Sequence, residues 1–388
     1  MSVTGPNGFI ASGIACGIKA SGDPDLALVA SANGPVSAAA VFTTNRAAAA
    51  PVQLSRQHLL ATQGMVRAVI LNSGCANAAT GPEGLLASRR TCEELAQVLG
   101  GEPEEMLVCS TGLIGIPLEL DKIILKVNDL VASAGANRED ARRAATAILT
   151  TDTHAKEVII QADGFTVGGM AKGAGMIAPN MATMLVVLTT DAKVSPPQLR
   201  EALERGVADT FNELIVDGCT STNDTVVILA SGTAGTVDSA AFAEAVADAC
   251  AALALLLAED AEGTTRVASI HVTGASNIAD AKRAGRQVAL SLLVKTSLFG
   301  SDPYWGRIVS ELGASGSEFD IDRVMIAYGG VVVCRNGVEI DHDSKAVRDH
   351  MQLSHVEITC DLGLGDAEST ILTTDLGHGY IDENMRTS

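Results

Sequence analysis

The segment from Lys172 to Leu185 constrains this chain more than any other. It reads Lys-Gly-Ala-Gly-Met-Ile-Ala-Pro-Asn-Met-Ala-Thr-Met-Leu. Glycines at 173 and 175 open it, and Pro179-Asn180 forbids a regular helix, because proline lacks an N–H and its ring clashes with the preceding turn. An apolar, β-like run from Met184 to Leu188 follows at once. The chain therefore passes from an irregular loop straight into a strand across the Ala182–Thr183 bond. If that bond is cut, Thr183 gains a free α-amine beside its own hydroxyl, so that nucleophile and base share one residue. A threonine that merely enters a strand is the plain alternative for the dipeptide alone. Gly173-Ala-Gly175-Met-Ile-Ala178 has the spacing of a dinucleotide fingerprint, but that motif must open a helix. Nor is it a phosphate loop, since Lys172 precedes the glycines.

Composition bounds the rest. The chain has 388 residues, too many for one small core, so two or more lobes are expected. Apolar residues make up 47% and aromatics only 3%, so the core rests on Ala, Val, Leu and Ile. A net charge of −19 argues against nucleic acid as a partner. The longest apolar run, Ala249 to Ala258, is about half of the roughly 20 residues that a membrane span needs. The opening Met-Ser-Val-Thr-Gly-Pro lacks the basic start and apolar stretch of a signal peptide. The eight cysteines include no CxxC pair, and reduced thiols in a cytoplasmic enzyme are expected.

Short β-like runs alternate with amphipathic stretches. Leu26 to Val29, Val66 to Leu71 and Met106 to Cys109 read as strands, and Pro82 to Gly100, Leu118 to Ala134 and Arg138 to Leu149 as helices. Val158 to Ile160 and Phe165 to Val167 form a hairpin around Asp163-Gly164. After Thr183 the strands are Met184 to Leu188, Val226 to Leu229 and Val267 to Val272; the helices are Pro197 to Phe211, Ala240 to Leu257 and Asn277 to Val294. Paired β runs come late, at 323–328 with 331–333 and at 356–360 and 370–373. The mixture predicts α+β layers, not a uniform parallel sheet.

Other stretches carry candidate chemistry. In Cys109-Ser-Thr-Gly-Leu-Ile-Gly115, the Thr111 hydroxyl and the Gly112 amide are placed to bind an oxyanion; a plain strand-to-helix turn is the competing reading. Leu149-Thr-Thr-Asp-Thr153 either lines a pocket or caps a helix. Asp217 to Thr225 is dense in donors and acceptors, a functional loop or a self-bonded turn network. Cys219 within it reads as passive, with no histidine near it in sequence. Glu262, in Asp260-Ala-Glu262-Gly263, binds an amine or is simply solvated. Trp305 reads as core. The histidines show no HxxxH or HExxH spacing, so no metal site is expected.

Taken together, the chain resembles the ornithine acetyltransferase family, the bifunctional glutamate N-acetyltransferases of arginine biosynthesis. The resemblance rests on Phe42-Thr-Thr-Asn-Arg46, Leu71-Asn-Ser-Gly74, Ser110 to Gly115, Thr150-Thr-Asp-Thr153 and Gly168 to Met184. It continues through Ser221-Thr-Asn-Asp-Thr225, Glu262-Gly263, Asp302-Pro303, Trp305-Gly-Arg307, Asp375-Leu376, Tyr380 and Asn384. The chain departs from the family pattern at Cys75 and Tyr304, where many relatives carry Asn, and at Cys219, where many carry Asp. The resemblance implies a layered fold of the self-processing, threonine-nucleophile kind, cut at Ala182–Thr183 into an α chain of 1–182 and a β chain of 183–388. It implies an α₂β₂ assembly. Thr183 would be the nucleophile, and Thr111 with Gly112 the oxyanion hole. Thr150, Lys172, Thr183, Glu262, Asn384 and Ser388 would bind substrate. The implied reaction moves acetyl from N2-acetyl-L-ornithine to L-glutamate, with no cofactor and with acetyl-CoA as a further possible donor. The nearest alternative is a self-processing threonine amidohydrolase or aminopeptidase.

Overall fold

The computed structural model describes residues 2–178 and 184–385. The Ala182–Thr183 bond and Ser388 lie outside the described residues.

Side-chain alternation builds the layers. In strand Leu26–Ser31, Leu26, Leu28 and Ala30 face one way and Ala27 and Val29 the other, and both sides are buried. This strand lies in a four-stranded sheet with Phe9–Ile14, Ala68–Asn72 and Met106–Ser110. One face of the sheet packs on helix Gly81–Leu99, through Cys92, Leu95 and Ala96, and on helix Val127–Ala132, through Val127 and Leu130. The other face meets a second, six-stranded sheet through Val29, Val69, Leu71, Val187 and Leu229, with helix Arg138–Ala147 wedged beside them.

The six-stranded sheet runs in the order Met65–Val66, Val36–Phe42, Thr225–Gly235, Leu185–Ala192, Phe165–Lys172, Lys156–Ala162. Its far face carries helices Pro196–Ala208 and Ser239–Glu259. Helix, sheet, sheet and helix thus stack in four layers. Gly169 lets helix Ser239–Glu259 come close: a Cβ there would sit 3.1 Å from Leu253 and 2.7 Å from Leu188. That helix is, among the described residues, the one long and apolar enough to cross a membrane, and its Phe242, Val246, Leu253 and Leu257 are buried in the core. A seven-stranded mixed sheet, with helices Ile278–Leu290, Gly306–Ala314 and Ser344–Met351 around Ile270, Val288, Ile308 and Val347, forms a further core.

The expected hairpin around Asp163-Gly164 is present, with Ala162 opposite Phe165. The α+β layering is as expected. Two expected helices are broken. Residues 118–134 form two short helices, Leu120–Ile124 and Val127–Ala132. Residues 277–294 break at Ser291, which turns extended and uses its side chain to cap the next helix at Val294. Trp305 is half-buried at the edge of the seven-stranded sheet's core.

Candidate active site

Strand Phe165–Lys172 ends on Lys172, which pairs with Leu185 on the neighbouring strand. Its side chain is buried, and its Nζ donates to Thr150 Oγ1 at 2.8 Å and to Thr111 Oγ1 at 3.2 Å. Burial pushes the Lys172 ammonium down from its ordinary pKa, and the Asp152 carboxylate, 3.8 Å away, opposes that. Asp152 is also buried. Burial raises its pKa, but Lys172 and Lys156 outweigh that and hold it below the usual carboxylate range. It accepts from the Gly173 amide at 2.6 Å and the Thr150 amide at 3.1 Å.

Thr111 and Gly112 follow strand Met106–Ser110. The Thr111 hydroxyl accepts from Lys172 and donates to none of the described residues, which leaves its proton for an outside acceptor. The Gly112 amide has no acceptor among the described residues. Gly112 has φ +129° and is pressed onto the neighbouring loop: a Cβ there would lie 2.3 Å from the Gly74 carbonyl carbon and 2.6 Å from the Cys75 nitrogen. Asn72 holds that loop through its Nδ2, which donates to Cys75 O at 2.8 Å. Asn223, from the second half of the chain, donates to Ala76 O at 2.6 Å and Ser110 O at 2.9 Å.

Glu262 completes the group. Its Oε1 accepts from Thr151 at 2.7 Å, its Oε2 from Asn384 Nδ2 at 2.8 Å, and its amide donates to Ala174 O at 2.9 Å. Glycines make this packing possible. A Cβ on Gly175 would meet the Glu262 carboxylate at 2.4 Å, and one on Gly263 would meet the Tyr380 nitrogen at 2.0 Å, where helix His378–Asn384 docks. Thr111, Thr150, Lys172, Glu262 and Asn384 therefore converge, linked through Thr150-Thr151 and through residues 172–175. Thr183, Ala182 and Ser388 lie outside the described residues.

The pattern of the ArgJ family matches residues 10–387. The chain belongs to the ArgJ family. It is 46% identical over 385 residues to the arginine biosynthesis bifunctional protein ArgJ of Thermobifida fusca, covering 99% of each chain. It is 47% identical over 390 residues to the protein of that name from Mycobacterium tuberculosis strain H37Rv, covering 98% of this chain and 95% of that one. Among solved structures it is similar to ornithine acetyltransferase of Mycobacterium tuberculosis complexed with ornithine, at 46% identity, 47% of this chain, 96% of that chain and a TM-score of 0.44. It is also similar to ArgJ of Bacillus halodurans, at 34% identity, 51% of this chain, 96% of that chain and a TM-score of 0.49. Family membership makes the chain an acyltransferase of arginine biosynthesis.

Reading residues one at a time left several members of this group without a role. Asp152 and Asp260 sit inside quoted motifs, yet their partners come from distant sequence. Asp217 clamps the backbone leading toward residue 179: its carboxylate accepts from Met176 N at 2.6 Å and Ile177 N at 3.0 Å. Asp224 is buried; its Oδ1 accepts from Met184 N at 2.9 Å, while its Oδ2 has no hydrogen-bond partner among the described residues. Burial pushes its pKa up to about 8. The density of polar residues in 217–225 was the available signal. Cys219 is exposed, but desolvation and the nearby Asp217 push its thiol up, the wrong direction for a nucleophile. Among the described residues no group of three His, Cys, Asp or Glu gathers to hold a metal. A cavity of about 500 Å³ elsewhere, beside Lys282, Glu213 and Thr370, brings His271 Nδ1 within 2.9 Å of the Thr370 hydroxyl.

Proposed function

We propose that the chain cuts its own Ala182–Thr183 bond and then carries acetyl on Thr183 from N2-acetyl-L-ornithine to L-glutamate. The observation that carries this reading is the Lys172 ammonium, in register with Leu185 and bonded to the hydroxyls of Thr111 and Thr150. An ammonium, a hydroxyl with its proton to give and an amide without an acceptor among the described residues stand together beside the strand that follows Thr183 in sequence.

In the first reaction the Thr183 hydroxyl attacks the Ala182 carbonyl and the amide nitrogen leaves. The hydroxyl proton passes to that nitrogen, which becomes the Thr183 α-amine; water then hydrolyses the ester and frees the Ala182 carboxylate and the Thr183 hydroxyl. That amine has an ordinary pKa of roughly 7.7–8.0, so a useful fraction is free base near neutrality. It takes the Thr183 hydroxyl proton as the oxygen attacks the acetyl carbonyl. Thr111 and Gly112 donate to the oxyanion, each worth about 3 kcal/mol in comparable sites. The amine returns the proton to the departing ornithine nitrogen, and glutamate reverses the sequence in a ping-pong cycle. Lys172 pairs with a substrate carboxylate, Glu262 with the ornithine side-chain ammonium, and Thr150, Asn384 and Ser388 complete the binding site. Acetyl-CoA is proposed as a further donor, without a bound cofactor.

The six-stranded sheet interleaves strands from both sides of residue 182, so the α chain (1–182) and β chain (183–388) remain one body after cleavage. We propose that two such bodies form α₂β₂ and that the enzyme works in the cytoplasm. Incubation with acetylornithine, with and without glutamate, tests the reading. Ornithine release that depends on glutamate supports it; release without glutamate gives the amidohydrolase instead. Thr183→Ala should run as a single full-length band on a denaturing gel and transfer no acetyl group, and two bands would refute the cleavage scheme.

A further inference from the structure

Behind Lys172 lies a buried row of alternating charge. Lys156 Nζ bonds to Asp260 Oδ2 at 2.5 Å and to Asp152 Oδ1 at 2.7 Å, and Asp152 Oδ2 lies 3.8 Å from Lys172 Nζ. The side chains of Lys156 and Asp152 are 0% exposed, that of Lys172 2% and that of Asp260 4%. Such a row is a poor way to gain stability, because apolar residues of the same volume avoid the cost of desolvating four charges. Its order is what matters. Lys156 neutralises the outer side of Asp152, and Asp260 neutralises the outer side of Lys156. Asp260 is itself held by Thr153, whose amide donates to it at 3.0 Å. Asp152 also fixes both ends of the lysine's surroundings, through the amides of Thr150 and Gly173.

We propose that Asp152, backed by Lys156 and Asp260, is a positioning residue that holds the Lys172 ammonium in its charged form between the hydroxyls of Thr111 and Thr150. The inference rests on the acetyl-transfer reading and deepens it: Lys172 meets a substrate carboxylate as a full positive charge only because Asp152 stands behind it. The same contact leaves the Thr111 hydroxyl proton directed away from Lys172. The titratable groups facing Lys172 are Asp152, Lys156, Glu262, Asp224 and, from the N-terminal region, Lys19. Asp152 is the one of these within ion-pair distance.

The test is the pH dependence of glutamate-dependent ornithine release in wild type, Asp152→Asn and Asp152→Glu. Removing one opposite charge at this range moves a pKa by about 1–3 units. Asp152→Asn should therefore shift the alkaline fall of kcat/KM to lower pH by about that amount, with a raised KM for acetylornithine, and Asp152→Glu should restore the limb. An alkaline limb in Asp152→Asn that overlays wild type would overturn the proposal, whatever the variant's overall rate. If Asp152→Asn does not fold, wild type alone still decides. NMR of ¹³Cε-labelled lysine, with Lys172 assigned through Lys172→Arg, should show a protonated ammonium at pH 7, and a neutral amine there overturns the proposal. A wild type without any exchange would sink the acetyl-transfer reading itself, and the NMR measurement would still judge Asp152.

Discussion

Gly112→Ala is the most exacting test of the oxyanion site. The added Cβ would lie 2.3 Å from the Gly74 carbonyl carbon, 2.6 Å from the Cys75 nitrogen and 2.7 Å from the Gly74 oxygen, against 3.4 Å where ordinary contact begins. All three atoms are backbone, so no side chain can swing aside. The turn must open by about 1.1 Å, at φ +129°, a conformation that costs alanine on the order of 1–3 kcal/mol. The Gly112 amide then no longer points where the oxyanion develops. Loss of one such donor costs about 10²–10³ in kcat, and a displacement near 1 Å is enough for about 10²-fold. In the proposed site substrate is held elsewhere, by Lys172 and Glu262, so KM should change little. Steady-state release of ornithine, run beside a thermal melt, gives both numbers. A variant with lowered melting temperature but wild-type kcat would refute the assignment, since the turn would then have moved without consequence for chemistry.

Three further outcomes are expected. Asp224 has its folded pKa raised to about 8 from an ordinary 3.8, so the folded chain holds more protons between those values, and this contribution to stability is lost as pH rises toward 8. Asp224→Asn should flatten the decline in melting temperature between pH 5 and pH 9, by an effect on the order of a few kcal/mol; parallel curves would contradict the buried, neutral acid. Gly263→Ala places a Cβ 2.0 Å from the Tyr380 nitrogen and should lift helix His378–Asn384, raising KM for acetylornithine and exposing the C-terminus to protease. Resistance to protease equal to wild type would show that the helix docks by other means. Asn384→Ala should raise KM with little change in kcat, because Asn384 contacts Glu262 rather than the oxyanion site, and a kcat loss with constant KM would contradict that.

What could be read in the sequence was whatever local chemistry controls. Asp163-Gly164 between two alternating runs gave a hairpin because a turn of that kind needs a residue free to take φ +82°. Strand Val36–Phe42, Val-Ser-Ala-Ala-Ala-Val-Phe, went unread since alanine carries little β preference and only its neighbours in the sheet hold it extended. The break at Ser291 was equally hidden, because serine suits a cap only where the fold turns. At the site, Thr111, Gly112, Thr150, Lys172, Glu262 and Asn384 were legible through motifs taken together. Asp152, Lys156 and Asp260 were not, because Lys156 and Asp260 are 104 positions apart and only the folded sheet and helix bring them into contact.

On the proposed cleavage at residue 182, the woven central sheet requires folding to come first. Strands 185–192 and 225–235 lie between 36–42 and 165–172, so neither side of residue 182 owns this sheet, although the four-stranded sheet lies wholly before it and the seven-stranded sheet wholly after it. On that scheme an intact backbone is needed while the molecule is being assembled and is dispensable afterwards. Fragments synthesised apart and mixed would each have to expose a raw sheet edge, and clumping would outpace their weaving together.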